Sequence, residues 1–395
     1  MIERKQYLNR MIALKDKKII KILTGVRRCG KSTMLSLYKR YLLSHGVEER
    51  CIHFINFEDL QFEPLQEYHR LHDAIVNMLV PDKMNYIMLD EVQMVPDFQK
   101  AVDSLFLRDN VDLYLTGSNA YLLSGELATL LSGRYVEIAM LPFSFREFYQ
   151  VIGGDPNAAF QTYFWKGGLP YGIQLSDEHA WMEYMNGIYN TVILKDVVAR
   201  QKIADIDLLT RLIRFLADNI GNIVSSNKIA NTLSSSGRRT TAATIDNYIR
   251  AFKEAFLLYE ANRYDVRGKQ RLKSLGKFYL ADPGFRTVSI GKSTSDIGHV
   301  LENIIYLELI RREFQVYIGK LDALEVDFVA RKGDEIIYYQ VAASIMDKNT
   351  FDREFAPLRQ IKDNYPKYVI TLDTLPISEN GIRQINAIDF LLQET

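Results

Sequence analysis

The sequence has few of the features that secreted and membrane proteins need. It contains only two cysteines, Cys29 and Cys51, which are too few for a disulfide framework and are typical of proteins from a reducing compartment. No apolar run approaches the roughly 20 residues of a membrane-spanning helix. The charged, amphipathic residues 1–18 also lack the apolar core of a signal peptide. We therefore expect a cytoplasmic protein with no membrane partner.

An excess of charge of one sign is absent as well. The chain has 49 Lys and Arg residues and 49 Asp and Glu residues, so any contact with nucleic acid would need a local basic patch. Of six histidines, His69 and His72 lie three apart, but no further His or Cys has zinc-ligand spacing, which favours a solvated helix face over a zinc site. The apolar content of 47% is that of a globular protein, and 395 residues predict two or three domains.

The strongest pattern in the chain lies between a predicted strand, IIKIL at 19–23, and a predicted helix that follows Ser32. Residues 25–32, GVRRCGKS, fit the Walker A pattern GxxxxGK[ST]. The glycines let consecutive backbone N–H groups face a phosphate, and the helix N-terminus adds partial positive charge. Lys31 would reach the β- and γ-phosphates of ATP, and the Ser32 hydroxyl would bind Mg²⁺. We expect phosphate contacts from Gly25, Val26, Arg27, Arg28, Cys29, Gly30, Lys31, Ser32 and Thr33.

A second pattern, NYIMLDE at 85–91, supplies the acids that a Walker B segment needs. Four mostly apolar residues predict a buried parallel strand that ends in Asp90 and Glu91. Carboxylates at the carboxyl end of such a strand lie where open α/β sheets bind ligands. We expect Asp90 to hold Mg²⁺ through water and Glu91 to act as the general base, a role that typically contributes about 10²–10⁴ in rate.

Two further residues are candidates for the catalytic step. Asn119 follows the predicted strand VDLYL and could orient the attacking water, although an ordinary helix N-cap explains it equally well. Arg134 precedes a predicted strand, YVEIAML, and could serve as an arginine finger, in cis or from a neighbouring copy in a homo-oligomer. Such a finger is worth about 10³–10⁵ in rate. The alternative for Arg134 is an ordinary surface arginine.

These motifs together resemble those of a prokaryotic family of AAA-type ATPases whose C-terminal half is a domain of unknown function, 4143. The resemblance implies an α/β P-loop NTPase core of the additional-strand type, here residues 1–150, with an acidic general base and ATP and Mg²⁺ as cofactors. It covers nearly the whole chain and is carried by residues 25–32, LDE at 89–91, LTGSN at 115–119, ELATLLSGR at 126–134, LPFSFREF at 141–148, GGLP at 167–170 and DPG at 282–284.

The middle of the chain predicts a helical linker or lid at 151–206 and a winged helix-turn-helix domain at 207–285. In the latter, three short helices precede a β-ribbon formed by residues 256–264 and 277–280. A winged helix can contact double-stranded DNA, and a clustered basic wing fits phosphate contacts. Docking of a protein is an equally good alternative. The basic residues of the wing are Arg263, Arg267, Lys269, Arg271, Lys273 and Lys277.

Residues 286–395 predict a helix followed by a small mixed sheet, which resembles a restriction-endonuclease-like core. Such a core places two strand carboxylates on Mg²⁺ and a lysine near the attacking water. The family pattern also has an acid on the preceding helix. Glu302 on that helix and Asp327 on the first strand match, but Gln340 stands in place of the second strand's acid and Ala342 in place of the lysine. An amide oxygen brings no charge to a hard cation. We therefore expect a degenerate domain without nuclease activity.

The leading hypothesis from the sequence is a Mg²⁺-dependent ATPase. Hydrolysis would switch the C-terminal winged-helix and nuclease-like module between conformations, with DNA as a candidate ligand. One alternative is a nucleotide-gated scaffold that binds protein or nucleic acid with little turnover, and another is a divergent metal-dependent nuclease.

Overall fold

The computed structural model describes residues 2–118, 133–199, 201, 203–235, 237, 239–271, 276–293 and 296–393. The chain forms two compact units, the first made of residues 1–140 with 254–256 and the second of residues 141–253 with 257–395. The division thus lies within the predicted ATPase span of 1–150, and the finer division of the second unit stays a prediction. In the described part of the chain, no helix has both the length and the apolar character needed to cross a membrane.

The first unit is built on a five-stranded sheet in the order β2-β3-β4-β1-β5, in which all neighbours are parallel. β4 therefore lies between β1 and β3, as the resemblance to additional-strand ATPases implies. β1, β3 and β4 are buried along their whole length, which explains their nearly continuous apolar sequences. The strands are β1 Ile20–Thr24, β2 Ile52–Asn56, β3 Asn85–Asp90, β4 Val111–Gly117 and β5 Tyr135–Ala139.

Four described helices accompany this sheet. α3 and α4 contribute Leu71, Ile75, Val102 and Leu105 to the core that one face of the sheet forms with apolar strand residues such as Ile22. α2 follows β1 directly, so its first turn lies at the carboxyl edge of the sheet. The helices are α1 Lys5–Ala13, α2 Lys31–Ser44, α3 Tyr68–Met78 and α4 Phe98–Phe106.

A buried ion pair crosses the sheet between β1 and β4. The Lys21 ammonium contacts the Asp112 carboxylate, and neither side chain is exposed by more than about 1%. The Tyr114 hydroxyl donates to Asp112 Oδ2 at 3.0 Å and exchanges a 2.6 Å hydrogen bond with the Tyr38 hydroxyl. Burial lowers the pKa of Lys21 and raises the pKa of Asp112, so each charge depends on the other.

The second unit contains ten helices among its described residues and a mixed sheet. The helices are α5 Phe145–Ile152, α6 Pro156–Lys166, α7 Glu178–Thr191 with a π-helical extension at Val192–Ala199, α8 Ile206–Asp218, α9 Ser226–Ser235, α10 Ala242–Glu254, α11 Pro283–Ile290, α12 Ile297–Arg311, α13 Lys348–Gln360 and α14 Ala387–Leu392.

The eight-stranded sheet of this unit has the order β14-β15-β13-β12-β11-β10-β7-β8. The strands β10, β11 and β12 form an antiparallel meander, to which β13 adds in parallel. A separate antiparallel pair joins β6 to β9. The strands are β6 Leu258–Ala261, β7 Arg263–Asp265, β8 Gln270–Arg271, β9 Lys277–Leu280, β10 Gln315–Leu321, β11 Leu324–Lys332, β12 Glu335–Val341, β13 Lys367–Thr371, β14 Ser378–Glu379 and β15 Ile382–Asn386.

The predicted wing is organised differently from a single ribbon. Residues 256–264 contribute to two strands rather than one. β6 pairs with β9 as a ribbon would, whereas β7 pairs with β10 of the large sheet. Two of the basic residues expected there already have acidic partners. Arg267 pairs with Asp322 at 2.7 Å, and Lys277 is buried among carboxylates. Lys273 lies outside the described residues.

Asp282 joins two glycine motifs that lie far apart in the sequence. Its buried carboxylate accepts hydrogen bonds from the backbone N–H of Gly168 at 2.6 Å and of Gly284 at 2.7 Å. A Cβ atom at Gly167 would lie 1.7 Å from Asp282 Oδ1, so only glycine fits there. Burial raises the pKa of Asp282 to about 7, against the opposing backbone hydrogen bonds.

Candidate nucleotide-binding site

The loop between β1 and α2 has the backbone conformation that the Walker A pattern predicts. Gly25 has φ of 143° and Gly30 has φ of 105°, both in the region that favours glycine. A Cβ atom at Gly25 would lie 2.1 Å from the Met140 carbonyl oxygen, so the loop packs directly against the end of β5. Gly30 is the N-cap of α2 and offers no side chain to the first helical N–H groups, which leaves these donors for an anion.

Lys31 lies over this loop. Its ammonium donates to the carbonyl oxygens of Gly25 at 3.0 Å and Val26 at 3.4 Å, and its Nζ lies 3.9 Å from Glu91 Oε1. The side chain is only 3% exposed. The motif lysine is therefore held next to the loop amides and close to the acid that follows β3.

The two acids of the second motif are held by one residue of the neighbouring strand. The Thr116 hydroxyl donates to Asp90 Oδ1 at 2.5 Å and accepts a hydrogen bond from the Glu91 backbone N–H at 2.9 Å. Glu91 itself has a left-handed backbone with φ of 54°, and Gln93 Nε2 donates to its Oε2. A non-glycine residue in this conformation stores strain, which is often found at functional sites.

The described residues fit a Mg²⁺ ion. Asp90 is 1% exposed, and its second oxygen, Oδ2, is buried without a hydrogen-bond partner among them. Burial raises the pKa of Asp90, whereas the hydroxyls of Thr116 and Ser32 lower it. Neither hydroxyl makes a hydrogen bond to Oδ2. A buried oxygen without a partner calls for a ligand or ion, and a carboxylate with a nearby hydroxyl offers the hard oxygen atoms that Mg²⁺ prefers.

Arg134 is not brought together with these residues. Its carbonyl oxygen accepts from the N–H of Ile20 at 2.8 Å, so it lies at the beginning of β1 and β5, whereas the Walker A loop follows the opposite end of β1 at Thr24. Five strand residues separate the two edges by roughly 13 Å. Its guanidinium contacts Asp103. Arg134 therefore lies away from the Walker A loop of its own chain, and its role as a finger stays a prediction.

The remaining predicted residues lie in the loop, in the first turn of α2 or after β4. Ser32 and Thr33 lie exposed in the first turn of α2, and Cys29 is buried in the loop. Asn119 lies outside the described residues. Ser118, just before it, is buried at the carboxyl end of β4 with no hydrogen-bond partner for its hydroxyl among the described residues.

Sequence reasoning missed two residues that support the site. The role of Thr116 could not be predicted, because its contacts with Asp90 and Glu91 depend on β3 and β4 being neighbours. Arg4 is buried and donates from Nη1 to the Cys29 carbonyl oxygen at 2.9 Å, so the residue before α1 holds the Walker A loop. No sequence pattern links residue 4 to residue 29.

Comparisons with known proteins agree with this geometry. Residues 17–149 match the family model described as an AAA domain, and residues 157–296 match one described as a domain of unknown function (DUF8612). An uncharacterized protein of Haemophilus influenzae is 40% identical over 400 residues, which cover 100% of this chain and 99% of that protein. An uncharacterized protein of Methanocaldococcus jannaschii is 28% identical over 392 residues, covering 94% and 85% of the two chains.

A solved structure supports the fold. The Walker-type ATPase of Pyrococcus abyssi aligns with a TM-score of 0.50 at 15% identity, covering 73% of this chain and 96% of that one. At this identity the likeness concerns the fold alone. The family matches confirm the resemblance noted in the sequence, an AAA domain followed by a domain of unknown function, except that the matched domain is DUF8612 and not domain 4143. The chain belongs to the family of the Haemophilus influenzae protein, in which an AAA domain of the P-loop ATPase type precedes a domain of unknown function.

Proposed function

We propose that the first unit binds ATP together with Mg²⁺ and hydrolyses it. The observation that carries this proposal is the pairing of the two motifs at one sheet edge. The lysine of the glycine loop lies 3.9 Å from Glu91, and the buried Asp90 oxygen next to it has no partner among the described residues. Asp90 and Ser32 would hold the Mg²⁺ ion, whose charge would offset that of the phosphates.

Each residue then has a separate task. The loop amides and the first N–H groups of α2 bind phosphate oxygens. The Lys31 ammonium exchanges its hydrogen bonds to the Gly25 and Val26 carbonyl oxygens for contacts with the phosphates. Ser32 and Asp90 hold the ion. Glu91, oriented by its left-handed backbone and by Gln93, accepts the proton of the attacking water.

Substitution of Glu91 tests the catalytic assignment. We expect Glu91→Gln to keep ATP affinity within a few-fold and to lower steady-state turnover at least ~10²-fold, because the amide cannot accept the proton. The matched control is Glu63→Gln, an exposed acid of the same unit, which should leave turnover unchanged. Wild-type turnover in Glu91→Gln would remove this residue from the mechanism.

Substitution of Lys31 tests phosphate binding separately. Charge-assisted hydrogen bonds are worth about 1.5–3 kcal/mol each, so we expect Lys31→Met to weaken ATP binding by at least roughly tenfold. Calorimetric titration with a non-hydrolysable analogue would measure this, with thermal unfolding as the check on folding. Unchanged affinity in a folded variant would contradict the assignment.

We further propose that the nucleotide state controls the second unit, whose helices α8–α10 and following strands suit a winged-helix module that contacts double-stranded DNA. Arg267 and Lys277 are already paired with acids, so other basic residues of the wing would have to contact the DNA phosphates. Turnover measured with and without duplex DNA at two salt concentrations tests it. Stimulation that falls with salt supports DNA binding, and unaltered turnover and no binding of labelled duplex contradict it.

The finger hypothesis now requires a homo-oligomer. Arg134 would complete the site of a neighbouring copy, with Asp103 as its present partner. Mixing Arg134→Ala with Glu91→Gln tests this, because each variant is inactive alone and a mixed assembly would regain turnover at the sites that combine an intact Glu91 with an intact Arg134. Full turnover of Arg134→Ala alone would rule out the role.

A further inference from the structure

A cleft in the second unit combines charged residues from elements that are distant in the sequence. Its volume is about 730 Å³, and it is lined by β9, α12, the ends of β11 and β12, and α13. Lys277, Glu302, Asp327 and Glu354 all contribute to its walls. It lies where the nuclease-like pattern predicted its carboxylates, and nothing in the ATPase proposal uses it.

The ammonium group of Lys277 lies among three carboxylates. Its Nζ is 2.7 Å from Glu325 Oε1, 3.0 Å from Glu302 Oε1 and 3.2 Å from Asp327 Oδ1. The lysine side chain is 4% exposed and Glu302 is 8% exposed. One ammonium group thus contacts three carboxyl groups from β11 and α12 and occupies the space between them.

Other protein donors also make hydrogen bonds to the carboxyl groups of the cleft. The Tyr279 hydroxyl donates to Glu302 Oε1 at 2.7 Å, and the Val341 N–H donates to Asp327 Oδ2 at 3.0 Å. Gln340, at the position of the missing acid, makes hydrogen bonds through both the oxygen and the nitrogen of its side-chain amide. Its Oε1 accepts from the Asp327 N–H at 2.7 Å and its Nε2 donates to Glu354 at 2.9 Å.

We propose that Lys277 is an internal counter-cation that takes the place of a divalent metal ion in this cleft and excludes Mg²⁺ and Mn²⁺ from it. A divalent ion binding all three carboxylates at about 2.1 Å would have to lie where the ammonium lies. Two cations cannot share that volume, and a buried ammonium cannot leave without losing its partners. Among the described residues, no group of three or more His, Cys, Asp or Glu side chains is arranged to hold a metal ion.

The electrostatic balance supports the same conclusion. Burial alone would lower the pKa of Lys277, but Glu302, Asp327 and Glu325 raise it well above its ordinary value, so the ammonium stays charged. One positive charge faces three acidic groups. If the lysine is replaced by a neutral side chain of similar length, the carboxylates lose their counter-ion and gain the space for a divalent one.

The test is Mn²⁺ binding by the full-length, nucleotide-free protein, followed by electron paramagnetic resonance. We expect no site in the wild type that depends on Asp327, and one additional site per chain in Lys277→Met, at least tenfold tighter than any wild-type binding. Adding Asp327→Asn to Lys277→Met should abolish the new site. The control Lys292→Met removes an exposed lysine of the same unit that pairs with Glu178. This variant should gain no Mn²⁺ site.

Three outcomes would overturn the proposal. The first is a wild-type Mn²⁺ site that Asp327→Asn removes. The second is a folded Lys277→Met variant that gains no site. The third is metal-dependent DNA cleavage by the wild type that Asp327→Ala abolishes. If Lys277→Met does not fold, the comparison of wild type with Asp327→Asn alone decides, since equal Mn²⁺ binding by the two supports exclusion of the metal.

Discussion

Replacing Gly25 by alanine is the sharpest perturbation that the Walker A loop offers. The new Cβ would lie 2.1 Å from the Met140 carbonyl oxygen and 3.1 Å from Cys29 Sγ. The first of these atoms belongs to the backbone at the end of β5 and cannot rotate away. Alanine must also adopt φ of 143°, which L-residues rarely do. The loop and the end of β5 therefore have to move apart.

The expected loss of stability combines the steric clash with Met140 and the unfavourable backbone conformation. Overpacking costs about 1–3 kcal/mol and an unfavourable backbone conformation about 1–3 kcal/mol, so we expect the free energy of unfolding to fall by roughly 2–6 kcal/mol in total. Gly46→Ala is the matched control. Gly46 has φ of 82° but no described atom within 4 Å of the added Cβ, so it should lose only about 1–2 kcal/mol.

The assay joins urea unfolding of the first unit with titration of an ATP analogue. We expect Gly25→Ala to lose at least tenfold in nucleotide affinity, because the loop amides no longer face one phosphate, while Gly46→Ala keeps wild-type affinity. Equal affinity and equal stability of the two variants would refute the reasoning, since the clash with Met140 would then have no consequence.

Three other predictions address charge. Lys21→Met should destabilise the first unit by about 3–5 kcal/mol in urea, because it leaves a buried carboxylate without its partner, and adding Asp112→Leu should recover most of that loss; no recovery would contradict the pairing. Asp90→Asn should raise the Mg²⁺ concentration for half-maximal turnover about 10–100-fold, and an unchanged Mg²⁺ titration would remove this residue from the ion site. Burial raises the pKa of Asp282 to about 7 in the folded protein, so the folded state holds a proton that the unfolded chain releases near pH 4, and the free energy of unfolding should fall as pH rises from 4 through 7. Asp282→Asn should flatten that dependence in urea titrations at several pH values, and an equal slope would show that this carboxyl is already ionised.

The sequence predicted well what is encoded locally. The glycine loop, its lysine and the helix after it are contiguous, so the backbone conformation of residues 25–32 could be foreseen from residue types alone. The buried strand that ends in Asp90 and Glu91 was equally predictable, because a continuous apolar run followed by two acids leaves few alternatives.

Residues whose role depends on tertiary neighbours could not be assigned in this way. Thr116 contacts Asp90 and Glu91 only because β3 and β4 are neighbours in the sheet. Arg134 precedes a strand, as predicted, but the parallel register places it at the sheet edge opposite the loop. Lys277 was grouped with a basic wing because its sequence neighbours are basic, whereas β9 directs it toward Glu302. Sequence proximity was misleading in that case, since side chains alternate along a strand.

The contact between Asp282 and Gly168 has a practical consequence for anyone who wishes to study parts of this protein. A cut before residue 207 would separate this carboxylate from Gly168, whose backbone N–H donates to it. A truncated fragment would present an unsatisfied acid or unprotected glycine amides to solvent. Expression of residues 141–395 as one piece avoids that damage and is the better starting point for dissecting the chain.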